Sequence, residues 1–153
     1  MQKDIKQLKV SAIRNGTVID HIPAKNLFKV INILGLDHID NQITFGTNLE
    51  SKRLGSKGIV KISDKFFVDD EINRIALAAP EAKLNIIRDY KVEEKKKVIV
   101  PDAFSGIVRC VNPKCITNND KVKTKFKVIS KKEVSLKCHY CEKITDEAHM
   151  VFI

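Results

Sequence analysis

A chain of 153 residues, 43% hydrophobic and 31% charged, has room for one ordinary domain or two small ones and is too apolar to be disordered throughout. Its formal net charge of +9 attracts anions in general, but the excess is spread over both halves and marks out no single basic arm. No apolar run approaches the ~18 residues of a membrane span, and "MQKDIKQLKV" carries charges with no apolar stretch behind them. A cytoplasmic protein with no membrane partner is therefore expected.

Strands and helices alternate through the first hundred residues. "LKVSAI" (8–13) alternates like a half-buried strand, and "GTVIDHI" follows a turn at Asn15–Gly16, so the two form either a hairpin or one bulged strand. "PAKNLFKVINILGL" predicts a helix with Pro23 at its first position, Leu27, Val30, Ile31 and Leu34 on one face and Gly35 as its cap. "NQITFGTNL" and "KGIVKIS" predict two strands joined by a polar stretch with Gly55 and Gly58. In "VDDEINRIALAAP", Asp69 or Asp70 is the expected N-cap, Ile72, Ile75, Ala76 and Ala79 share a face, and Pro80 ends the helix. "AKLNIIRDY" closes the series as a strand. The order β-α-β-β-α-β is that of the ferredoxin-like split βαβ arrangement.

The charge run from Glu93 to Lys97, with Pro101 behind it, reads as a solvated connector. Beyond it, "GIVRC", "VKTKFKVIS", "VSLKC" and "AHMVFI" are short strand candidates with no helix of any length among them. The fold class is thus α+β: a ferredoxin-like domain over residues 1–100, then a small all-β zinc-ribbon (rubredoxin-like) domain over 101–153.

A β unit of this size buries too little surface to be secure without a staple. Cys110-x4-Cys115 and Cys138-x2-Cys141 supply one, since four thiolates on two knuckle-like turns satisfy tetrahedral Zn²⁺ with no open position. A closed set of thiolates argues against catalytic zinc. The redox alternative takes Cys138-His139-Tyr140-Cys141 as a thioredoxin-like motif, but that motif belongs at a helix start and here lies between strand candidates. His139 inside the knuckle reads as a surface residue. Lys121, Lys123, Lys125 and Lys127 line one strand face, which either binds nucleic acid or is a solvated, protected face. Stacking aromatics are scarce, with Phe104, Phe126, Tyr140 and Phe152 the only candidates in this half, and some belong to its core.

Catalytic motifs are missing: there is no Walker loop, G-x-G-x-x-G, G-x-S-x-G or H-E-x-x-H. Asp20–His21 is an adjacent acid–imidazole pair. It is either structural or, with Lys57 and Lys61 on a neighbouring strand, a site for a phosphorylated ligand, the lysines acting as point charges and Asp20 accepting from ribose hydroxyls.

"GTVIDHIPA" before a helix, then "NIIRDYKV", C-x4-C and "LKCHYCEK", resembles the regulatory chain of aspartate carbamoyltransferase over essentially the whole chain. The resemblance implies a chain with no activity of its own that controls de novo pyrimidine biosynthesis. An N-terminal allosteric domain would bind the effector nucleotides CTP, ATP and UTP. A C-terminal domain with one structural Zn²⁺ would dock on the catalytic chain, and regulatory dimers would bridge two catalytic trimers. It further implies that Ala12 and Ile13 contact the base, with the backbone near Ile87 and Tyr90 reading its edge. Asp20 would hold the ribose hydroxyls, Lys61 would reach ribose and base, and His21, Asn85, Val92 and Lys95 would surround the triphosphate, leaving Lys96 and Lys97 solvated. Cys110, Cys115, Cys138 and Cys141 match the zinc ligands, and Asn112, Glu142 and Lys143 match positions facing the catalytic chain. This sequence departs from the pattern in having Ser11 where an acid is usual, Lys114 in place of a polar neutral residue, and a slightly short segment between the cysteine pairs. Nucleic acid becomes an unlikely partner, and a zinc-ribbon nucleic-acid-binding protein is the alternative reading.

Overall fold

The computed structural model describes residues 12–153, so the expected strand at 8–13, with Ser11, lies almost wholly outside the described residues. Internal contacts divide the chain into two units, Met1–Ile99 and Val100–Ile153.

In the first unit five antiparallel strands form one sheet: β1 (Gly16–Pro23), β2 (Ile43–Ser51), β3 (Gly55–Ser63), β4 (Lys83–Arg88) and β5 (Lys91–Lys97), in the order β2-β3-β1-β4-β5. Helices α1 (Leu27–Ile33) and α2 (Asp69–Asn73, extended by a 3-10 turn to Leu77) complete the ferredoxin-like order. Alternation decides which face each strand buries. Ile19 lies opposite Val60 on β3 and Leu84 on β4, and all three are buried, as are Leu27, Val30, Ile72 and Ile75 of the helices. The side chains between them, Val18, Asp20, Lys61, Lys83 and Asn85, go to the opposite face. Register thus separates the apolar core from a face rich in polar groups.

Local chemistry accounts for the joins. Gly16 has φ +141°, and a Cβ there would fall 2.0 Å from the Ile62 carbonyl oxygen, so only glycine lets β1 and β3 approach this closely. Gly35, left-handed at φ +66°, donates its N–H to Asn32 O at 3.0 Å beyond the end of α1. Pro23 is not the first helical residue expected; it ends β1 with ψ 129°, and a 3-10 turn at Ala24–Asn26 leads into α1. The second helix starts one residue earlier than Asp69 as N-cap would give, and two earlier than Asp70 would. Val68 is its N-cap residue, donating its N–H to Glu71 Oε1 at 3.2 Å, while Asp69, Asp70 and Glu71 fill the first turn, where the helix dipole favours acids.

Glu93–Lys97 is a strand rather than a connector. Pairing with β4 takes Lys95 opposite Asn85 and Lys97 opposite Lys83. The side chains of β5 are almost all exposed, as suits an edge strand whose charges discourage further pairing.

The second unit is a four-stranded antiparallel sheet: β6 (Ala103–Ser105), β7 (Lys125–Ser130), β8 (Ser135–Cys138) and β9 (Ile144–Asp146), in chain order. "GIVRC" and "AHMVFI" are not strands; a single bridge joins Val108 to Phe152. β6 and β9 were not expected, and neither was the one-turn helix α3 (Ile116–Asn119). Phe104, Ile107, Val108, Phe126, Val134 and Leu136 make its small core, while Lys125 and Lys127 face outward from β7.

Candidate ligand cavity and metal centre

The polar face of the first sheet carries a cavity of about 400 Å³, lined by Asp20, His21, Lys83, Asn85, Lys95, Lys96 and Lys97. Asp20 and His21 reach it because β1 bulges between Ile19 and Ile22, with His21 left-handed at φ 61°. The His21 N–H donates to Asp20 Oδ1 at 2.6 Å, and Lys57 Nζ holds the same carboxylate at 2.9 Å. The His21 ring Nδ1 is buried with no hydrogen-bond partner among the described residues, 3.7 Å from Asp20 Oδ2. Burial pushes the imidazole pKa below its usual 6.5; Asp20 works against this, and Lys57, Lys83 and Arg53 add to it. Lys61, on the same face, is also lowered by burial and partly restored by Asp20.

Of the residues singled out in sequence, Asp20, His21, Asn85 and Lys95 therefore line one cavity. Lys61 lies opposite Val18, and Val92 lies opposite Ile87. Ile13, Val18 and Ile87 pack as a buried cluster with Ile59 against it, forming an apolar patch on the same face. Tyr90 donates its N–H to Arg14 O at 2.9 Å, which fixes the β4–β5 turn beside the Ala12–Asn15 segment. Ala12 and Tyr90 are themselves exposed. Sequence reading set Lys57 near Asp20 without foreseeing their ion pair, missed Lys83, and took Lys96 and Lys97, which line the cavity, as solvated. Lys96 is not simply solvated, because it pairs with Asp69 at 3.2 Å and Glu94 at 3.8 Å. Strand alternation in "KLN" and "EKKK" held the signal, but it becomes readable only once β5 is paired with β4.

In the second unit the four cysteine sulfurs lie within 4.8 Å of one another. Cys110 Sγ is 3.5 Å from Cys141 Sγ, and Cys115 Sγ is 3.7 Å from Cys138 Sγ; none forms a disulfide. Tetrahedral thiolates at a Zn–S distance of about 2.3 Å stand roughly 3.8 Å apart, so the donor set fits such an ion. Three of the cysteines are buried and Cys141 is half-buried.

Burial pushes the Cys110 thiol up to about 12 against a hydrogen bond from the Asn112 backbone, and burial likewise raises Cys138. Burial also pushes Cys141 upward, but hydrogen bonds from the Lys143 backbone and the Asn112 side chain outweigh it and bring it to about 7. The supporting groups come from the "ITNND" segment. Thr117 Oγ1 donates to Cys115 Sγ at 3.2 Å, and the Asn118 side-chain amide donates to the carbonyls of Cys110 at 2.9 Å and Asn112 at 2.8 Å. Sequence reading missed these residues, although a polar run directly after the second cysteine was a visible hint. Glu142 and Lys143 are exposed on the second knuckle, while Asn112 is half-buried and turned into the first, accepting from the Lys114 N–H at 3.0 Å.

An anion-attracting cavity in one unit, and thiols gathered for a metal in the other, put the chain among two-part binding proteins. Comparison with known proteins makes this particular. The family model for the allosteric domain of the aspartate carbamoyltransferase regulatory chain matches residues 8–99, and the model for its metal binding domain matches residues 102–151. A regulatory chain from Bacteroides fragilis is 59% identical over 143 residues, covering 94% of each chain. One from Pyrococcus horikoshii is 53% identical over 147 residues, covering 95% of this chain and 97% of its own. The chain belongs to the family of aspartate carbamoyltransferase regulatory chains, and is a non-catalytic regulatory subunit with an allosteric domain and a metal-binding domain.

Proposed function

We propose that the first unit binds nucleoside triphosphates, CTP, ATP and UTP among them, and that their binding tunes a separate catalytic chain in pyrimidine biosynthesis. The observation that carries this reading is the convergence of Asp20, His21, Asn85 and Lys95 on one cavity beside the Ile13–Val18–Ile87 patch. The carboxylate of Asp20 suits ribose hydroxyls, Lys95 and the buried His21 nitrogen suit phosphate oxygens, and the patch with Ala12, Val92 and Tyr90 suits a base. Lys61, sensing Asp20, stands between the two ends.

In the second unit Cys110, Cys115, Cys138 and Cys141 would hold one Zn²⁺. The ion supplies folding free energy and no open position for chemistry. It keeps the two knuckles in shape, so that Glu142, Lys143 and the Asn112 turn can face the catalytic chain. Regulatory dimers would then bridge catalytic trimers in the cytoplasm. A nucleotide shifts that assembly only by the difference in its affinity for the two quaternary states. Couplings of about 1–3 kcal/mol are typical and must be reciprocal with substrate.

The test is the rate of carbamoyl-aspartate formation at sub-saturating aspartate, for the cognate trimer alone and with the zinc-loaded chain, each with and without CTP. A nucleotide-sensitive change in the aspartate response on adding the chain is expected. A rate indifferent to chain and nucleotide would sink the proposal.

A further inference from the structure

Packing does not account for the helix α3. One turn is far below the length at which a helix holds itself together in water, and none of its four residues is buried. Its side chains instead turn back onto the loop between Cys110 and Cys115. Thr117 donates to the Cys115 sulfur. The Asn118 amide donates to the carbonyls of Cys110 at 2.9 Å and Asn112 at 2.8 Å, and the Asn119 amide to those of Pro113 and Cys115, both at 2.8 Å. Two side chains thus engage four carbonyls of one short loop. Within it the Cys115 N–H donates to the Asn112 carbonyl at 3.0 Å. The second knuckle is built otherwise. Cys138 ends β8 opposite Phe126, and the His139 N–H donates to the Lys125 carbonyl at 2.8 Å, so strand pairing places this knuckle. Cys110 and Cys115 belong to no strand, and their loop takes its shape from α3.

We propose that α3 is a clamp on the metal loop, with Asn118 and Asn119 the positioning residues that fix the separation and aim of the Cys110 and Cys115 thiols. The inference rests on the metal reading above and adds to it what orders this half of the site. Ordering a loop costs conformational freedom, and an ion that must itself order the loop binds more weakly by that amount. With four of its carbonyls engaged, the loop has few other arrangements, and the two thiols stay at a separation that suits the ion. The asparagines bond to backbone and not to sulfur. They therefore act on the ion only through Cys110 and Cys115 and leave the set of four thiols unchanged.

Competition for zinc between the full chain and a chromogenic chelator tests this. Asn118→Ala and Asn119→Ala are each expected to hold zinc about tenfold more weakly, the usual scale when a group supporting the ligands is lost, and the double variant more weakly still. Alanine is the better helix former, so a role confined to the helix itself predicts no loss. Ile116→Ala changes the same turn at a residue 44% exposed and should leave zinc retention unchanged. Asn118→Gln, which keeps the N–H donors, should hold zinc more tightly than Asn118→Ala. In the cobalt-loaded chain the ligand-field bands of the double variant should lose tetrahedral intensity, a signature that reads the sulfur geometry directly. The single variants keep the comparison readable if the double variant does not fold. Unchanged retention in both single variants, or an equal loss in Ile116→Ala, overturns the proposal while the metal reading stands. Wild-type chain that takes up no zinc overturns the metal reading and this proposal with it.

Discussion

His21 carries pH-sensitive chemistry in the first unit. Its Nδ1 is buried without a hydrogen-bond partner among the described residues, and its pKa is lowered, chiefly by burial. A folded-state pKa below the unfolded value favours the neutral ring. The stability this contributes is present above about pH 6.5 and is lost as pH falls through the lowered value. Nucleotide binding should have the opposite sign, because phosphate charge favours the imidazolium and raises its pKa. CTP affinity should therefore climb on acidification, by up to about tenfold for each unit by which the ligand raises that pKa. Calorimetry across pH on wild type and His21→Gln isolates the effect from the titration of the nucleotide itself; equal slopes in the two would discard it. In the second unit the comparable single-residue effect belongs to Thr117, whose hydroxyl donates to the Cys115 sulfur. Thr117→Val keeps shape and removes the donor. Chelator competition should show zinc held about tenfold more weakly, as is usual when a ligand's hydrogen-bond partner is lost, and unchanged retention would reduce Thr117 to packing.

At the level of elements, the tightest join is β1 against β3 at Gly16. Alanine there meets both the Ile62 carbonyl and a φ that L-residues avoid, so Gly16→Ala should cost about 2–4 kcal/mol. A lower urea midpoint at unchanged slope would show it, and a shift below ~0.5 kcal/mol would mean that the strands slide apart freely. The second unit hangs on its metal instead. Chelation should erase the exchange protection of β7 and β8 while β1, β3 and β4 stay protected, because only the small core of Val100–Ile153 needs the staple. Simultaneous loss in both sets of strands would refute that independence. What sequence disclosed follows the same division. Helical spacing showed α1 and α2, and cysteine spacing showed the metal centre, because both signals are local. β5 was hidden, since "KVEEKKK" has the composition of a connector and becomes a strand only through distant pairing with β4. Lys83 and Lys97 were hidden with it, as their shared face depends on that register. β6 and β9 are three residues each, too short to show a period.

For the whole molecule the question is which surfaces are left to associate. The five-stranded sheet of the first unit has two edges, and they differ in kind. β5 presents "KVEEKKK" with its charges outward, whereas β2 presents "ITFGTNLES" with Glu50 as its one charge. Among the described residues nothing pairs with this edge, and a row of backbone groups with so little charge is a template for another strand. Beside it, Phe45 meets Phe28 edge-to-face at 5.6 Å, and both rings are exposed, Phe28 by 63%. Pairing of β2 with its copy would extend the sheet without touching the cavity on β1, β4 and β5, so a nucleotide bound there would be carried on a continuous sheet spanning two chains. This makes β2 the edge on which the dimer proposed above should form. Phe45→Asp puts a charge beside the pairing edge at an already exposed position and leaves the core of the unit intact. Sedimentation equilibrium should then show the zinc-loaded chain shifting from dimer to monomer, with CTP binding per chain retained. A dimer of unchanged strength would move the contact elsewhere, and loss of CTP binding together with the dimer would mean that the cavity needs the partner chain to keep its shape.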